Sequence, residues 1–218
     1  MSDDKIIQKA TEEIESKTLA ATQQFLDIHQ VVYLGTKPKV ERVDRDKGDG
    51  TAIVYFPVKE ERFYLAISIE ANPEPEVSAI YVEPYTSVYY SAGSETIELE
   101  TISGMTNLIP TSVWRKGDPK REGGRILHKD NGIRFEPTPG PDEFEDKMKK
   151  LLDFLESDKV GIKNLAKKAE GYIQVIMEFH NGNSMLGGPN ISKESVKRMA
   201  ALNVELDFDL YVSGKPYK

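Results

Sequence analysis

The apolar residues of this chain change their spacing near residue 30, and this change decides what the chain can fold into. From about Asp4 to His29 they recur every three or four positions, the period of one face of an α-helix. Beyond that point they alternate with polar residues in short runs rich in β-branched and aromatic side chains, which is typical of strands. We therefore expect one long helix packed on a sheet.

Five such runs predict an antiparallel meander after the helix: 31–34, 40–43, 51–56, 63–69 and 78–82. The glycines of Lys47-Gly48-Asp49-Gly50 supply flexible backbone for one hairpin, and Asn72-Pro73-Glu74-Pro75 makes a second connection, since proline cannot continue a central strand. Residues 1–85 are thus predicted to form a helix-and-sheet domain.

The chain from 86 to 218 mixes the two periods and predicts a second domain of the α+β class. Its elements follow the order strand, helix, strand, helix, helix, strand, helix, strand, with the helices expected on one side of the sheet. A ferredoxin-like or split β-α-β arrangement is the nearest common pattern. The last strand alternates regularly and should turn one face to the core: Val204, Leu206, Phe208, Leu210 and Val212.

Two motifs in this second domain carry a resemblance. Trp114-Arg115-Lys116-Gly117-Asp118 follows a Trp-x-Lys-Gly-acidic pattern, and Leu206 to Tyr211 read Leu-Asp-Phe-Asp-Leu-Tyr. On these motifs, residues from about 86 to 212 resemble a bacterial family known as domain of unknown function 4279 (DUF4279). A tryptophan usual in that family after the first motif is replaced here by Gly132-Ile133-Arg134-Phe135. The resemblance implies no catalytic residue, and many small, acidic, cysteine-free bacterial proteins of this type are immunity proteins of toxin systems.

Composition removes several classes of function. The chain has no cysteine, which excludes disulfides, thiolate nucleophiles and cysteine-ligated zinc. No apolar run approaches the ~20 residues that cross a bilayer, and the N-terminus lacks the features of a secretory signal, so we expect a cytoplasmic protein without membrane contact. The net charge is -7, and residues 1–92 hold 10 Lys/Arg against 16 Asp/Glu. This charge disfavours nucleic acid and favours a protein partner with a basic surface.

The three histidines and the glycine pairs show no motif for catalysis or for a cofactor. His29 is expected at a helix end, His128 in a loop and His180 in a turn, and their spacing matches neither a zinc site nor a hydrolase triad. Gly123-Gly124 and Gly187-Gly188 lack the spacing of phosphate-binding loops. We predict no cofactor, and we expect a protein that is not an enzyme. The sequence does not define the oligomeric state.

The segment from Trp114 to Arg134 is basic within an acidic chain and is the first candidate site. One interpretation is a binding surface for an anionic ligand or an acidic protein surface, with the only tryptophan as an anchor. The other is structural, with Trp114 closing the end of the sheet and Gly117 in a turn that needs a positive φ. The candidate binding residues are Trp114, Arg115, Lys116, Asp118 and Arg121.

The acidic face of the last strand is the second candidate site. Glu205, Asp207 and Asp209 lie on one side of it, about 7 Å apart, and carboxylates in this pattern could hold a divalent cation. The interpretation we favour is a solvent-exposed strand face, and we predict no metal. Our leading hypothesis is a non-enzymatic protein-binding module, such as an immunity protein. The alternatives are a divalent-metal-dependent hydrolase or transferase using these carboxylates, and a binder of a small anionic ligand at Trp114.

Overall fold

The computed structural model describes residues 2–45, 47–70, 74–182 and 188–217, and in it the chain begins with two helices instead of the one predicted. Helix α1 spans Asp3–Ser16 and α2 spans Ala20–Leu26. Lys17 between them has left-handed backbone, with φ 51°, which ends α1. The single long helix was therefore a wrong prediction, although the apolar stripe of α1 packs on the sheet as expected.

The break between α1 and α2 is held by Glu13. Its side chain is buried and its carboxylate accepts hydrogen bonds from the backbone N–H groups of Thr18, at 3.3 Å, and Leu19, at 3.1 Å, and from the hydroxyls of Thr18 and Thr22. It thus satisfies N–H groups that the start of a helix leaves unpaired. Burial alone would raise the pKa of Glu13, but the hydrogen bonds from Thr18 and Thr22 outweigh it and lower the pKa.

Replacing Glu13 with alanine is expected to lower the free energy of unfolding by about 2 kcal/mol, because the start of α2 loses its cap and the buried Thr22 hydroxyl loses its acceptor. Urea unfolding followed by circular dichroism measures the change. Glu12→Ala is the matched control, since the Glu12 side chain is 48% exposed and its loss should cost less than about 0.5 kcal/mol. Equal losses in the two variants would contradict the capping role.

The smaller sheet is an antiparallel meander of four strands in the order β3-β4-β5-β6, as predicted. The run at 31–34 contributes only a two-residue strand, which pairs with a second two-residue strand in a separate small hairpin. The connection at Asn72-Pro73 lies outside the described residues. In the hairpin at Lys47-Gly48-Asp49-Gly50 both glycines have positive φ, a use of the flexible backbone predicted there. The strands are β1 Tyr33–Leu34, β2 Lys37–Pro38, β3 Arg42–Asp44, β4 Thr51–Pro57, β5 Tyr64–Glu70 and β6 Glu76–Glu83.

The larger sheet belongs to the second half of the chain and has five strands in the order β11-β10-β7-β9-β8. The order of elements along the chain is the predicted one, with the short strand β8 added before the basic segment. Its elements are β7 Tyr85–Ser94, α3 Leu99–Ser103, β8 Ser112–Trp114, β9 Asn131–Phe135, α4 Phe144–Leu155, a 3₁₀ turn Glu156–Asp158, α5 Lys159–Lys168, β10 Tyr172–His180, α6 Lys193–Leu202 and β11 Glu205–Ser213.

The larger sheet is mixed, and its strand order differs from the split β-α-β arrangement. The strands β10 and β11, joined by α6, pair directly and in parallel over nine residues, whereas a split unit places another strand between them. The remaining pairings are antiparallel. The apolar residues of the helices pack against one face of this sheet, which places the fold in the α+β class.

The two sheets follow each other with almost no connection. β6 ends at Glu83 and β7 begins at Tyr85, so Pro84 alone passes the chain from one sheet to the other. Tyr55 on the smaller sheet is fully buried. Arg42 of the same sheet donates a hydrogen bond to the Pro141 carbonyl, close to the start of α4, at 2.9 Å. The two halves therefore share buried surface.

The last strand departs from its predicted burial. Leu206 and Phe208 pack against the core beneath the helices, as expected. Leu210 and Val212, on the same face, are 56% and 51% exposed. The expectation that this whole apolar face is covered was wrong, because the second half of β11 extends past the helices that cover its first half.

Candidate functional site

The larger sheet ends in two strands that are free on their outer side, β11 and β8, and these edges carry opposite charge. β11 pairs only with β10, and β8 pairs only with β9. The carboxylates of Glu205, Asp207 and Asp209 are exposed at the first edge. The second edge continues into the basic segment after Trp114. Both candidate sites predicted from the sequence therefore lie at sheet edges, on opposite sides of one sheet.

On its outer side, β11 makes no backbone hydrogen bonds with another described strand over most of its nine residues, Glu205–Ser213. Within the described part of the chain, no backbone hydrogen bond joins Glu205 to Val212 with anything but β10. Apolar side chains flank this backbone at its end, since Leu210, Tyr211 and Val212 are 56%, 54% and 51% exposed. An edge with open N–H and C=O groups beside exposed apolar side chains is a surface on which another strand can pair.

The three acidic residues of β11 do not converge on one point. Asp207 Oδ1 accepts the N–H of Phe208 at 2.9 Å, and Asp209 Oδ2 accepts Gln174 Nε2 at 3.4 Å. Among the described residues, three potential ligand atoms come within 4.8 Å of one another at Asp44, Asp142 and Asp146, and not on β11. The β11 carboxylates thus form a line of negative charge along the strand.

Asp44, Asp142 and Asp146 are already balanced by cations of the chain itself. Arg42 Nη1 lies 2.9 Å from Asp142, and Lys47 Nζ lies 3.0 Å from Asp146 and 3.4 Å from Asp44. Although burial opposes it, the hydrogen bonds that Lys47 donates to the carboxylates of Glu143 and Asp146 raise the pKa of Lys47, so its positive charge is firmly held. This cluster is a set of salt bridges between the two halves of the chain.

The basic segment is a hairpin, which we call the basic arm and define as residues 114–129. Its two sides are joined by backbone hydrogen bonds from Gly117 to His128, at 2.9 Å, and from Lys120 to Ile126, at 2.8 Å. Gly117 has φ 93°, the positive value expected for the turn in this motif. The tip at Arg121 and Arg125 is exposed.

Trp114 holds the base of the arm. Its indole stacks on His128, with ring centroids 5.1 Å apart, and Nε1 donates to Asp130 Oδ1 at 3.2 Å. The ring also lies against Gly132, where any side chain would overlap it. Trp114 is half-buried and positions the arm, and this packing requires a glycine at position 132.

The other predicted binding residues divide between the base and the tip of the arm. Asp118 Oδ2 accepts the N–H of Arg115 at 2.8 Å, the Arg115 guanidinium pairs with Glu100, and Lys116 Nζ donates to the Glu95 carbonyl at 3.3 Å. No ion pair of Arg121 is found in the described part of the chain. The five residues therefore do not point at one small ligand, because two of the cations are engaged by the chain itself.

The basic arm also exposes apolar side chains that the sequence analysis did not single out. Ile126 is 72% exposed and Leu127 is 50% exposed, and Val113 at the adjoining edge strand is 54% exposed. Exposed apolar groups beside charged ones are typical of interaction surfaces. The signal in the sequence was the pair Ile126-Leu127 within a polar loop.

Sequence reasoning missed a buried pair formed by His29 and His180. Their Nε2 atoms are 2.8 Å apart, and the rings are enclosed by Phe25, Phe63 and Tyr217. Burial lowers the pKa of both histidines, and the charge of Lys215 lowers that of His29 further. His180 is the last residue of β10, not a turn residue as predicted. The pair joins α2, β10 and the C-terminal segment.

Two further ionisable groups with displaced pKa values lie near the salt bridges between the halves. Burial, assisted by the nearby Glu143 carboxylate, raises the pKa of Glu83 to about 8. Burial lowers the pKa of Lys147 to about 8, and its ammonium donates to the Thr138 carbonyl at 2.7 Å.

Comparison with known proteins gives one match. The model of a family described as a domain of unknown function (DUF4279) matches residues 83–213, more than half of the chain. This range contains all five residues of the arm motif and the whole of β11. No curated protein and no solved structure matches the chain. No helix in the described part of the chain is long and apolar enough to cross a membrane.

Proposed function

The chain belongs to the DUF4279 family. We propose that it is a non-enzymatic protein-binding module whose partner docks on the β11 edge. The observation that carries the proposal is the open edge of β11, with nine residues of strand and exposed Leu210, Tyr211 and Val212 beside a row of carboxylates. The family description assigns no activity, so the argument depends on this surface.

The chemistry of the edge favours an extended, basic partner segment. A strand added to β11 would gain main-chain hydrogen bonds, and its side chains would alternate between the two faces. On one face they would meet Glu205, Asp207 and Asp209, and on the other the exposed Leu210 and Val212. A segment that alternates basic and apolar residues suits both faces.

The charge of the whole chain supports the same partner class. A net charge of -7 attracts a basic protein over distances of about a Debye length and accelerates its encounter. An immunity protein needs only such a surface, since it acts by covering its toxin and performs no reaction. We propose more specifically that the chain is an immunity protein whose partner is a basic toxin.

A labelled peptide of alternating lysine and valine tests the docking surface. We expect it to bind at about 50 mM NaCl and to bind about tenfold more weakly at about 300 mM, because surface charge pairs are screened by salt. Asp207→Lys with Asp209→Lys should weaken binding by about tenfold or more, because both carboxylates then repel the peptide. Fluorescence anisotropy measures the affinity.

Two controls separate this site from general attraction of charge. Glu12→Lys with Glu15→Lys changes the net charge by the same amount on the exposed side of α1, and it should leave binding nearly unchanged. A peptide of alternating glutamate and valine should not bind. Equal weakening by both pairs of substitutions, or equal binding of both peptides, would refute docking at β11.

A further inference from the structure

The two free edges of the larger sheet are complementary to each other. The β11 edge carries Glu205, Asp207 and Asp209, and the basic arm at the opposite edge carries Lys120, Arg121 and Arg125 in exposed positions. Because these edges face away from each other within one chain, they cannot meet in the same molecule. They can meet between two molecules.

We propose that the basic arm of one copy binds along the β11 edge of a second copy of this chain. This inference goes beyond the proposed function, because the occupant of the edge is the protein itself and not a foreign partner. The arrangement joins two different surfaces, so it is head-to-tail and produces rings or open chains, not a two-fold dimer.

Most charged side chains on the two surfaces have no oppositely charged partner among the described residues of the same chain. In the described residues, no ion pair involves Lys120, Arg121, Arg125 or Lys129, and none involves Glu205 or Asp207. The main exception on the arm is Arg115, which pairs with Glu100. A second copy supplies the missing counter-charges on each side, and complementary charge of this kind fixes orientation and increases the association rate.

Exposed apolar side chains accompany the charges on both surfaces. Ile126 and Leu127 on the arm are 72% and 50% exposed, and Leu210 and Val212 on the edge are 56% and 51% exposed. Contact between arm and edge removes all four from water, and this burial favours association independently of salt. The apolar groups lie beside the charged ones on each surface, as they do in protein interfaces.

Pairing of β11 with the β11 of a second copy is disfavoured by the same charges. It would bring two rows of three carboxylates onto one sheet face, and like charges on neighbouring strands destabilise pairing. The basic arm avoids this repulsion, which is why we assign it as the occupant. Self-association then covers the edge that the proposed partner uses, so the two compete.

Sedimentation velocity of three proteins tests the inference. One variant reverses the arm by Lys120→Glu, Arg121→Glu and Arg125→Glu, and the other reverses the edge by Glu205→Lys, Asp207→Lys and Asp209→Lys. The unmodified chain should sediment faster as its concentration rises at about 50 mM NaCl, and this increase should disappear at about 500 mM. Each variant alone should associate at least about tenfold more weakly.

Mixing the two variants decides between specific and general attraction. An equimolar mixture should regain the association, because the reversed arm now meets the reversed edge with opposite charge. The inference is overturned if the unmodified chain stays monomeric at low salt, if either variant alone associates as strongly, or if the mixture stays monomeric.

The outcome is separable from that of the proposed function. The arm variant keeps β11 intact and should bind the lysine-valine peptide as a monomer. Failure of the monomeric arm variant to bind the peptide, with self-association of the unmodified chain, would refute the proposed function alone. Peptide binding by an unmodified chain that never associates would refute this inference alone.

Discussion

Replacing Asp142 with alanine is expected to lower the free energy of unfolding by about 2–4 kcal/mol. The Asp142 side chain is fully buried, and its Oδ2 accepts hydrogen bonds at 2.9 Å from both Arg42 of β3 and Lys150 of α4. Burial alone would raise the pKa of Asp142, but the hydrogen bonds from Lys150 and Arg42 outweigh it and lower the pKa. The substitution leaves the partly buried cations of Arg42 and Lys150 without the carboxylate that they share.

The expected loss is set by the exposure of the two cations. Breaking a fully buried pair costs about 3–5 kcal/mol. The Arg42 and Lys150 side chains are 22% and 36% exposed, so water compensates part of the loss. Urea unfolding at neutral pH measures it. Because Arg42 lies on the smaller sheet and Asp142 precedes α4, the change reports how strongly the two halves hold each other.

Asp153→Ala is the matched control for this prediction. Asp153 pairs with Arg198 at 2.6 Å, but its side chain is 57% exposed, so its removal should cost less than about 1 kcal/mol. A loss for Asp142→Ala no larger than that for Asp153→Ala would mean that the buried cluster contributes little to joining the halves.

Acidification from about pH 7.5 to about pH 5.5 is expected to destabilise the protein by up to about 3 kcal/mol relative to the double variant His29→Phe and His180→Phe. His180 Nδ1 accepts the N–H of Gly182 at 3.0 Å, so its proton is on Nε2 and is donated to His29 Nε2 at 2.8 Å. A further proton would place two N–H groups face to face in an apolar enclosure. The folded pair therefore stays neutral.

The sign follows from the lowered pKa values. Both histidines have a folded pKa below the ordinary value of 6.5, because burial disfavours the charged ring. The histidines therefore contribute to the free energy of unfolding above pH 6.5. This contribution is lost as the pH falls, since the unfolded chain then binds protons that the folded pair does not. Each histidine contributes at most about 1.4 kcal/mol per pH unit. The charge of Lys215 further lowers the pKa of His29, and the charge of His29 further lowers that of His180. Hydrogen bonds with the Lys215 backbone act against this by raising the pKa of both histidines, and the charge of Glu61 raises that of His180.

The comparison with the double variant isolates the histidines from other titrating groups. Glu83, with its pKa raised to about 8, gains stability on acidification and opposes the effect in the unmodified chain. Glu83 titrates in both proteins, so its effect on the free energy of unfolding cancels when the two proteins are compared. His128→Gln should leave the pH dependence unchanged, because His128 stacks on Trp114 away from the pair. Parallel pH profiles for the unmodified chain and the double variant would rule out a neutral buried pair.

Elements with a regular local pattern were predicted well. The strand β4 is a short continuous run of mainly β-branched and aromatic residues, the helix α4 places its apolar residues at the helical period, and neighbouring residues suffice to specify both. The break after Ser16 was missed because it depends on the Glu13 carboxylate reaching the start of α2. The exposure of Leu210 was missed because it depends on how far along β11 the core beneath the helices extends, which periodicity in β11 does not report.

The candidate surfaces were only partly visible in the sequence. Composition identified the basic segment and the acidic strand, but their placement at opposite edges follows from the strand order of the sheet. The His29–His180 pair joins positions 151 residues apart, and the Lys47–Asp146 bridge joins positions 99 apart. Contacts at such separations have no local signature, since they are determined by how whole elements pack.

The one-residue passage at Pro84 affects how this chain can exchange parts with its relatives. The family match begins at residue 83, so the segment that matches the family starts where one sheet gives way to the other. Arg42, Lys47 and His29 all lie before that point, yet each pairs with a residue after it. A recombination event at Pro84 would bring together halves whose buried charges were never matched. The first half and the family domain are therefore expected to be inherited together, as one selectable unit.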